Sequence, residues 1–309
     1  MRERIGGCLL LAVVPLAVTP PAGATAAPQG EGAPLDATGA EPVEAHSELG
    51  LQAMESREQL FLWGDKLRPH RKNYILAGSW DRSLSDRPSP VAGGENEDVE
   101  VKFQASFRYP IWPWRESGDD RLSFAYTALS YWQLYDFDSS SPFRTTDHEP
   151  ELFWEHDFPR ELQSRVGVVH QSNGESGTAD RSWNRVYGEL LYRFDPRVRG
   201  DWKSWGVGLK AWYVFSEAQE NEDILDYVGP FELRGEYWFA GKRRPHLAAA
   251  WRNNLWLNDD NRGSLQVDFA VQLVEGLRLL VQYYNGYGES LLDYDRSANR
   301  LSLGLEFSS

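Results

Sequence analysis

The sequence predicts an all-β protein, a twelve-stranded antiparallel β-barrel that crosses a membrane. Apolar and polar residues alternate over segments of roughly 9–11 residues, the length of a tilted transmembrane strand. The chain holds 13 Trp, 14 Tyr and 14 Phe at a mean hydropathy of −0.55, as expected of a barrel with aromatic girdles and a polar interior. Its one cysteine, Cys8, lies in the N-terminal segment, so disulfides and thiolate metal sites are excluded from the rest of the chain.

The N-terminal segment has the features of a secretory signal peptide. A basic start at Arg2 and Arg4 precedes an apolar stretch over residues 8–18, and small residues follow at 24–26. We therefore expect residues 1–26 to be removed on export to the bacterial outer membrane. Residues 27–58 are rich in Gly, Pro, Ala and Glu without a period, which predicts a disordered leader. Residues 59–309 form the predicted barrel domain, in which residues 59–73 could be a short plug or an ordered lead-in.

From Tyr74 onward the hydrophobic period is two. In residues 101–109, for example, the odd positions are Val, Phe, Ala, Phe and Tyr, and the even positions are Lys, Gln, Ser and Arg. Twelve such segments lie between turn signals, at 74–81, 99–109, 122–134, 150–158, 163–172, 182–194, 205–215, 229–239, 246–254, 264–273, 277–286 and 299–307. An even number suits a single-chain outer-membrane barrel. A soluble β-sandwich alternates too, but strand length, the export signal and the polar second face favour the barrel.

The acidic balance of the chain excludes one class of partner. Its formal net charge is −14 at pH 7, whereas binding to a nucleic-acid backbone needs clustered Lys and Arg. We therefore expect no nucleic-acid partner.

The stretch "HQSNGESGTADRSWNR", residues 170–185, places polar groups on an apolar strand face. His170 and Ser172 share parity with Val166 and Val168 in the first strand of the hairpin. In the second strand, Asn184 shares parity with apolar residues that include Val186, Leu190 and Phe194. Because the apolar face of a membrane barrel looks at lipid, these three polar residues are predicted on the outer wall.

Antiparallel pairing brings these residues together. If the hairpin is centred on Gly177, His170 lies opposite Asn184 and Ser172 lies opposite Ser182, with Cβ atoms about 4.5–5.5 Å apart. A nucleophile, a base and a neutral group that orients the base then follow the logic of a catalytic triad.

The simpler interpretation of His-x-Ser alone is an ordinary pair of polar residues at a barrel rim. The position of Asn184 opposite favours a function, because polar groups facing lipid are costly unless paired. The loop adds Glu175, Ser176 and Asp180, whose oxygens are of the kind that Ca²⁺ prefers. A solvated acidic loop is the simpler interpretation of those three.

Four motifs of the chain resemble the outer membrane phospholipase A family. The stretch at 170–185 is similar to its His-x-Ser-Asn-Gly strand followed by Arg-Ser-Trp-Asn-Arg. The others are "SSSPFRTTDHEPELF" (139–153), "GYGESLLDYDRSANR" (286–300) and "LRPHRKNYIL" (67–76). The resemblance covers roughly residues 60–307. It implies a twelve-stranded outer-membrane barrel with its active site on the outer surface.

The resemblance also implies the chemistry. Ser172 would be the acyl nucleophile, His170 the base and Asn184 the group that holds the imidazole. The reaction would be hydrolysis of phospholipid acyl esters at either glycerol position, A1 and A2, together with lysophospholipase activity. The family uses Ca²⁺ to polarise the developing oxyanion and is active as a homodimer.

The implied calcium ligands are the carbonyl of Glu175, the side chain of Asp180 and the carbonyl of Ser140 of the partner subunit. Glu175 stands where the family has arginine, and Asp180 stands where it has serine, which adds a charged ligand. A second calcium position would fall near Gly177 and Glu220, although Gly177 lacks the carboxylate usual there. Ala128 stands where the family has a glutamine at its dimer contact, so dimerisation is expected to be weaker or to depend on apolar packing.

Two alternatives remain open at the level of sequence, a passive channel and a structural barrel without catalytic activity. A barrel of about 8–12 strands is narrow and tends to be filled by side chains. The inward Arg, Glu and Gln residues fit such a filled interior better than a pore.

Overall fold

The computed structural model describes residues 67–307 except 88, 90–93, 113–118, 160 and 195–203. The predicted signal peptide (1–26) and leader (27–58) lie outside the described residues and stay predictions. None of the helices in the described ranges is long and apolar enough to cross a membrane.

The described residues form mainly β-strands. The strands are β1 (Arg68–Pro69), β2 (Asn73–Trp80), β3 (Val99–Trp112), β4 (Asp120–Trp132), β5 (Phe143–Phe158), β6 (Leu162–Ser172), β7 (Ser182–Phe194), β8 (Ser204–Glu217), β9 (Phe231–Trp238), β10 (His246–Asn253), β11 (Gly263–Val274), β12 (Leu277–Gly286) and β13 (Ala298–Phe307). The helical elements are short: 3-10 turns at Gly177–Ala179 and Gln219–Asn221, and the helix α1 (Ile224–Val228).

Strands β2 to β13 close into a barrel. Each pairs antiparallel with its neighbour in sequence, and β13 pairs with β2 to complete the ring. Register shifts at Leu303/Leu305 and Leu76/Ser79 mark β-bulges on both sides of β2. The twelve-stranded antiparallel barrel predicted from the period of two is therefore confirmed.

Eleven of the twelve strands begin within two residues of the predicted positions, and β5 is the exception. It begins at Phe143, not near residue 150. Its first half turns the buried Arg144, Asp147 and Glu149 inward, while the outward positions hold Thr146 and His148. Both faces are polar there, so the alternation that marks a strand is missing from the sequence.

The two faces of the strands differ as the parity predicts. On β6, Val166 is 60% exposed on the outer wall, whereas Val169 points inward and is 3% exposed. On β13, Leu301 and Leu303 point outward, whereas Arg300 of the same strand points inward and is fully buried. An apolar outer wall with a polar interior is the pattern of a transmembrane barrel.

Ion pairs line the interior, around a cavity of about 590 Å³. Arg300 contacts Glu100 at 2.8 Å and Glu289 at 2.8 Å. Residues 67–72 add to this lining. Lys72 reaches Asp268 of β11 at 2.6 Å, and the ring centroids of His70 and Phe153 are 5.2 Å apart at a tilt of 30°. The predicted plug or lead-in is therefore, over residues 67–72, an ordered segment that contacts the inner wall.

Strand direction places six connections at one end of the barrel. Because neighbouring strands run antiparallel, the connections after β2, β4, β6, β8, β10 and β12 share this end, which we call the loop end. They span 81–98, 133–142, 173–181, 218–230, 254–262 and 287–297. Ser140, Glu175, Asp180 and Glu220 all lie on loop-end connections.

Candidate active site

The β6–β7 hairpin has the predicted register. His170 pairs with Asn184, and Ser172 pairs with Ser182. His170 is exposed on the same wall as Val168, while Ser172 and Asn184 are half-buried. The polar groups singled out in the sequence thus meet on the outer wall at the loop end.

Asn184 fixes the imidazole of His170. The His170 Nδ1 and Asn184 Oδ1 atoms are 2.9 Å apart. An amide oxygen can only accept, so Nδ1 carries the proton and donates it to the bond. Nε2 of the neutral ring then keeps its lone pair and can act as a base.

Ser172 lies two residues from His170 on the same strand face. Side chains at i and i+2 of a strand point to the same side. Among the described residues, no hydrogen bond joins the Ser172 hydroxyl to the imidazole. Catalytic hydrogen bonds are often long or poorly aligned without substrate, and rotation about χ1 of Ser172 changes the approach of its hydroxyl to Nε2.

Buried groups hold the loop that follows Ser172. The side chain of Asn173 accepts the backbone N–H of Arg181 at 3.0 Å and that of Glu175 at 3.3 Å, and it donates to the Ala179 carbonyl at 2.8 Å. Gly174 takes a φ of +70°, which a residue without Cβ adopts at little cost. One buried amide therefore ties both ends of loop 173–181 together.

The inner side of the hairpin is also supported. Gln171 Oε1 accepts hydrogen bonds from Trp183 Nε1 and Arg185 Nη2, each at 2.9 Å. From the β8–β9 connection, the Asn221 side chain bonds both the N–H and the carbonyl of Ser182 at 3.1 Å. These contacts hold the register that pairs His170 with Asn184.

Sequence reasoning missed a second histidine at this site. His148 of β5 pairs with Ser172, and its Nδ1 is 2.6 Å from the Tyr126 hydroxyl of β4. His148 alternates with Asp147 and Glu149, which are polar too, so the parity that revealed His170 gave no signal here. The late predicted start of β5 hid it.

The predicted calcium ligands lie on separate loops. Glu175 and Asp180 share loop 173–181, Ser140 lies in loop 133–142 with a φ of +63°, and Glu220 lies in the short 3-10 turn after β8. Within the described ranges, no group of three or more His, Cys, Asp or Glu side chains could hold a metal ion.

The oxygens on loop 173–181 are nevertheless available as ligands. The Glu175 carbonyl and the Asp180 carboxylate accept no hydrogen bond from the described residues. One carboxylate plus carbonyl oxygens is a donor set that a hard cation such as Ca²⁺ takes, with water completing the shell. The loop therefore fits a calcium ion that draws further ligands from elsewhere.

Comparison with known proteins identifies the family of the chain. A family model described as Phospholipase A1 matches residues 52–307. Phospholipase A1 of Klebsiella pneumoniae is 33% identical over 250 residues, covering 77% of this chain and 81% of the relative. Phospholipase A1 of Escherichia coli K12 is 34% identical over 248 residues, covering 77% and 80%.

Solved structures extend the comparison to the fold. Outer membrane phospholipase A from Escherichia coli superposes with a TM-score of 0.67 at 28% identity, covering 82% of this chain and 96% of that one. One Escherichia coli structure is an active-site mutant in which asparagine is replaced by alanine. The Salmonella typhi outer membrane phospholipase, a dimer with bound calcium, matches equally well, with a TM-score of 0.67. The chain therefore belongs to the phospholipase A1 family of ester hydrolases and is a phospholipase of the outer membrane.

Proposed function

We propose that this phospholipase hydrolyses acyl esters at both glycerol positions, and those of lysophospholipids, through Ser172, His170 and Asn184. The observation that carries the proposal is the 2.9 Å bond between His170 Nδ1 and Asn184 Oδ1 on the lipid-facing wall. It leaves Nε2 unprotonated on the strand face of Ser172.

The residues perform acyl transfer in two stages. His170 Nε2 takes the proton of the Ser172 hydroxyl as its oxygen attacks the ester carbonyl carbon. The resulting imidazolium gives that proton to the departing glycerol oxygen, and an acyl-serine forms. A water molecule then attacks the acyl-serine, with His170 again accepting a proton and returning it to Ser172. Asn184 holds the ring and its tautomer throughout, as the third member of a triad does.

Calcium is the cofactor of the proposal. The Glu175 carbonyl and the Asp180 carboxylate would hold it, with the carbonyl of Ser140 of the partner subunit. When bound, the ion supplies positive charge next to the oxyanion that develops on the ester. The calcium in the Salmonella typhi relative supports this cofactor. Glu220 and Gly177 would contribute to a second calcium position.

The active form in this proposal is a homodimer, as the Salmonella typhi structure suggests. Ala128 of β4 faces outward between Ala105 of β3 and His148 of β5. A wall with two alanines at the expected contact offers apolar packing in place of a hydrogen bond. Export through residues 1–26 would deliver the chain to the outer membrane.

The test measures ester hydrolysis of a detergent-dispersed phospholipid by the refolded protein, with calcium and then with excess chelator. We expect turnover with calcium, a loss of about 10²–10³ in chelator, and no turnover above background for Ser172→Ala. Activity that persists in chelator would remove the calcium site from the proposal and keep the triad. Equal turnover by Ser172→Ala and the parent would remove the triad and favour a barrel whose site does no chemistry.

A further inference from the structure

A second histidine flanks Ser172 on the side away from Asn184. His148 pairs with Ser172 on one side and with Ala128 on the other. Directly paired residues point to the same face with Cβ atoms about 4.5–5.5 Å apart, so His148 projects outward beside the Ser172 side chain. It is half-buried there. A polar ring on a lipid-facing wall is costly unless its nitrogens are hydrogen-bonded.

Tyr126 sets the orientation of this ring. Its hydroxyl lies 2.6 Å from His148 Nδ1, and the two rings stack with centroids 6.2 Å apart. A phenol donates a hydrogen bond better than it accepts one, because its oxygen lone pair is delocalised into the ring. Tyr126 therefore donates to Nδ1, and the proton of the neutral imidazole sits on Nε2. An imidazolium also carries a proton on Nε2, so this nitrogen is a donor in either state.

The Nε2 edge of His148 faces the loop after Ser172. Cδ2, the carbon bonded to Nε2, lies 3.9 Å from the point where a Cβ on Gly174 would stand. Nε2 has no hydrogen-bond or ion-pair partner among the described residues, since the contacts of this ring run through Nδ1 and Tyr126. The donor is thus left free next to the nucleophile.

The two histidines have opposite roles in hydrogen bonding. Asn184 accepts from His170, which leaves a lone pair on Nε2. Tyr126 donates to His148, which leaves an N–H on Nε2. Ser172 lies between a base on one side and a donor on the other.

We propose that His148 Nε2–H binds a phosphate oxygen of the phospholipid and so positions the ester over Ser172, an inference that depends on the function proposed above. The phosphate is the permanently charged acceptor of the substrate, a few bonds from the ester carbon. That span is comparable with the roughly 5 Å between neighbouring strands. His148 is also at the loop end, where the polar headgroups of the leaflet begin. Its role is positioning and selection of substrates that carry phosphate.

The test compares two substrates that differ only in the headgroup, a short-chain phosphatidylcholine and the diacylglycerol with the same acyl chains, in one detergent. We expect His148→Leu to lower kcat/KM for phosphatidylcholine by about 10- to 100-fold, the weight of a hydrogen bond to a charged group. The loss appears mainly in KM. The ratio of the two kcat/KM values should fall by most of that factor. His148→Gln keeps an N–H donor and should recover part of the ratio, and Tyr126→Phe should lower it less than His148→Leu.

His156→Leu is the matched control. His156 lies on the same strand and face, with Nδ1 2.8 Å from Asp120 at the far end of the barrel. We expect this variant to keep the parent ratio.

Two outcomes would overturn the inference: an equal loss on both substrates, or no loss on either. Unchanged strand content in circular dichroism shows that each variant is folded. Ser172→Ala separates this inference from the proposed function. If Ser172→Ala is inactive while His148→Leu keeps the parent ratio, only the phosphate contact fails. If Ser172→Ala stays active, the triad itself fails.

Discussion

Polar side chains on the inner and outer faces of the same strands differ in how many partners they contact. Inside the barrel, Glu155 is 1% exposed and shares three guanidinium groups, those of Arg108, Arg121 and Arg165. On the outer wall, His170 and His148 each have one hydrogen-bonded partner, and the second ring nitrogen of each has none among the described residues. Within the described ranges, buried groups also keep unbonded atoms, such as both ring nitrogens of His246. Access from the lipid side, and not the number of polar groups, therefore distinguishes the wall proposed to do chemistry from the wall that holds the fold.

The largest effect on stability should come from the inner face. Arg144 donates to Glu100 at 2.9 and 3.0 Å and also contacts Asp293. Arg144→Met leaves buried carboxylates short of a cation, which costs about 3–5 kcal/mol. We expect a lower thermal midpoint in detergent, with the specific activity of the folded protein at 25 °C within about twofold of the parent. A loss of activity at an unchanged thermal midpoint would contradict the assignment of stability to the inner face and of activity to the outer wall.

A smaller effect should come from the loop that connects the faces. Asn173→Ala leaves two N–H groups and one carbonyl without their partner, at about 1–3 kcal/mol. Because the loop carries Glu175 and Asp180, we expect a higher calcium concentration at half-maximal activity. Asn173→Asp keeps the acceptor for the N–H groups of Glu175 and Arg181 and should show a smaller shift. If neither change alters the calcium concentration that the enzyme requires, loop 173–181 does not bind the metal.

A substitution on the outer wall should alter turnover and leave stability nearly unchanged. Asn184→Ala removes one exposed hydrogen bond, worth about 0.5–1.5 kcal/mol. We therefore expect kcat to fall by up to about tenfold, with the thermal midpoint little changed. Asn184→Asp keeps an acceptor for His170 Nδ1 and should retain more activity than the alanine variant. A fall in the midpoint that matches the fall in kcat would assign Asn184 a structural role.

The smallest effect should come from Ser182, which lies opposite Ser172 on the same wall. The structure gives its hydroxyl no partner among the described residues and fixes its backbone through Asn221. Ser182→Ala should change stability by no more than about 0.5 kcal/mol and kcat/KM by no more than about twofold. A loss as large as that of Ser172→Ala would favour Ser182 as the nucleophile in place of Ser172.

Periodicity predicted the parts of this molecule in which one face is apolar. It located the strands, assigned His170 and Asn184 to the outer wall and, with the hairpin centre at Gly177, gave their register. It failed at the start of β5, where Thr146 and His148 replace apolar residues on the outer wall. The polar residues of the site thus removed the apolar–polar alternation that would have located His148.

Interactions between residues distant in sequence were out of reach for a different reason. The Asn221 side chain meets Ser182 across 39 residues, and Tyr126 meets His148 across 22. Such contacts depend on the closure of the barrel and on loop conformation, and neither produces a periodic pattern in the sequence. The hydrogen bonds of Asn173 within its loop join residues close in sequence. They depend on the φ of +70° at Gly174, which is one of several conformations open to glycine.

In the proposed mechanism, the exposure of His170 on the outer wall determines how the substrate reaches the site. A pocket open to water receives its ligand by diffusion through the bulk solution. A site that faces the leaflet receives its substrate by lateral diffusion within the membrane plane. The rate of hydrolysis then depends on the mole fraction of phospholipid among the lipids that touch strands β4 to β7. Diluting the lipid with an inert amphiphile should therefore slow the enzyme at constant bulk concentration, and adding more membrane of the same composition should not speed it once all the protein is embedded.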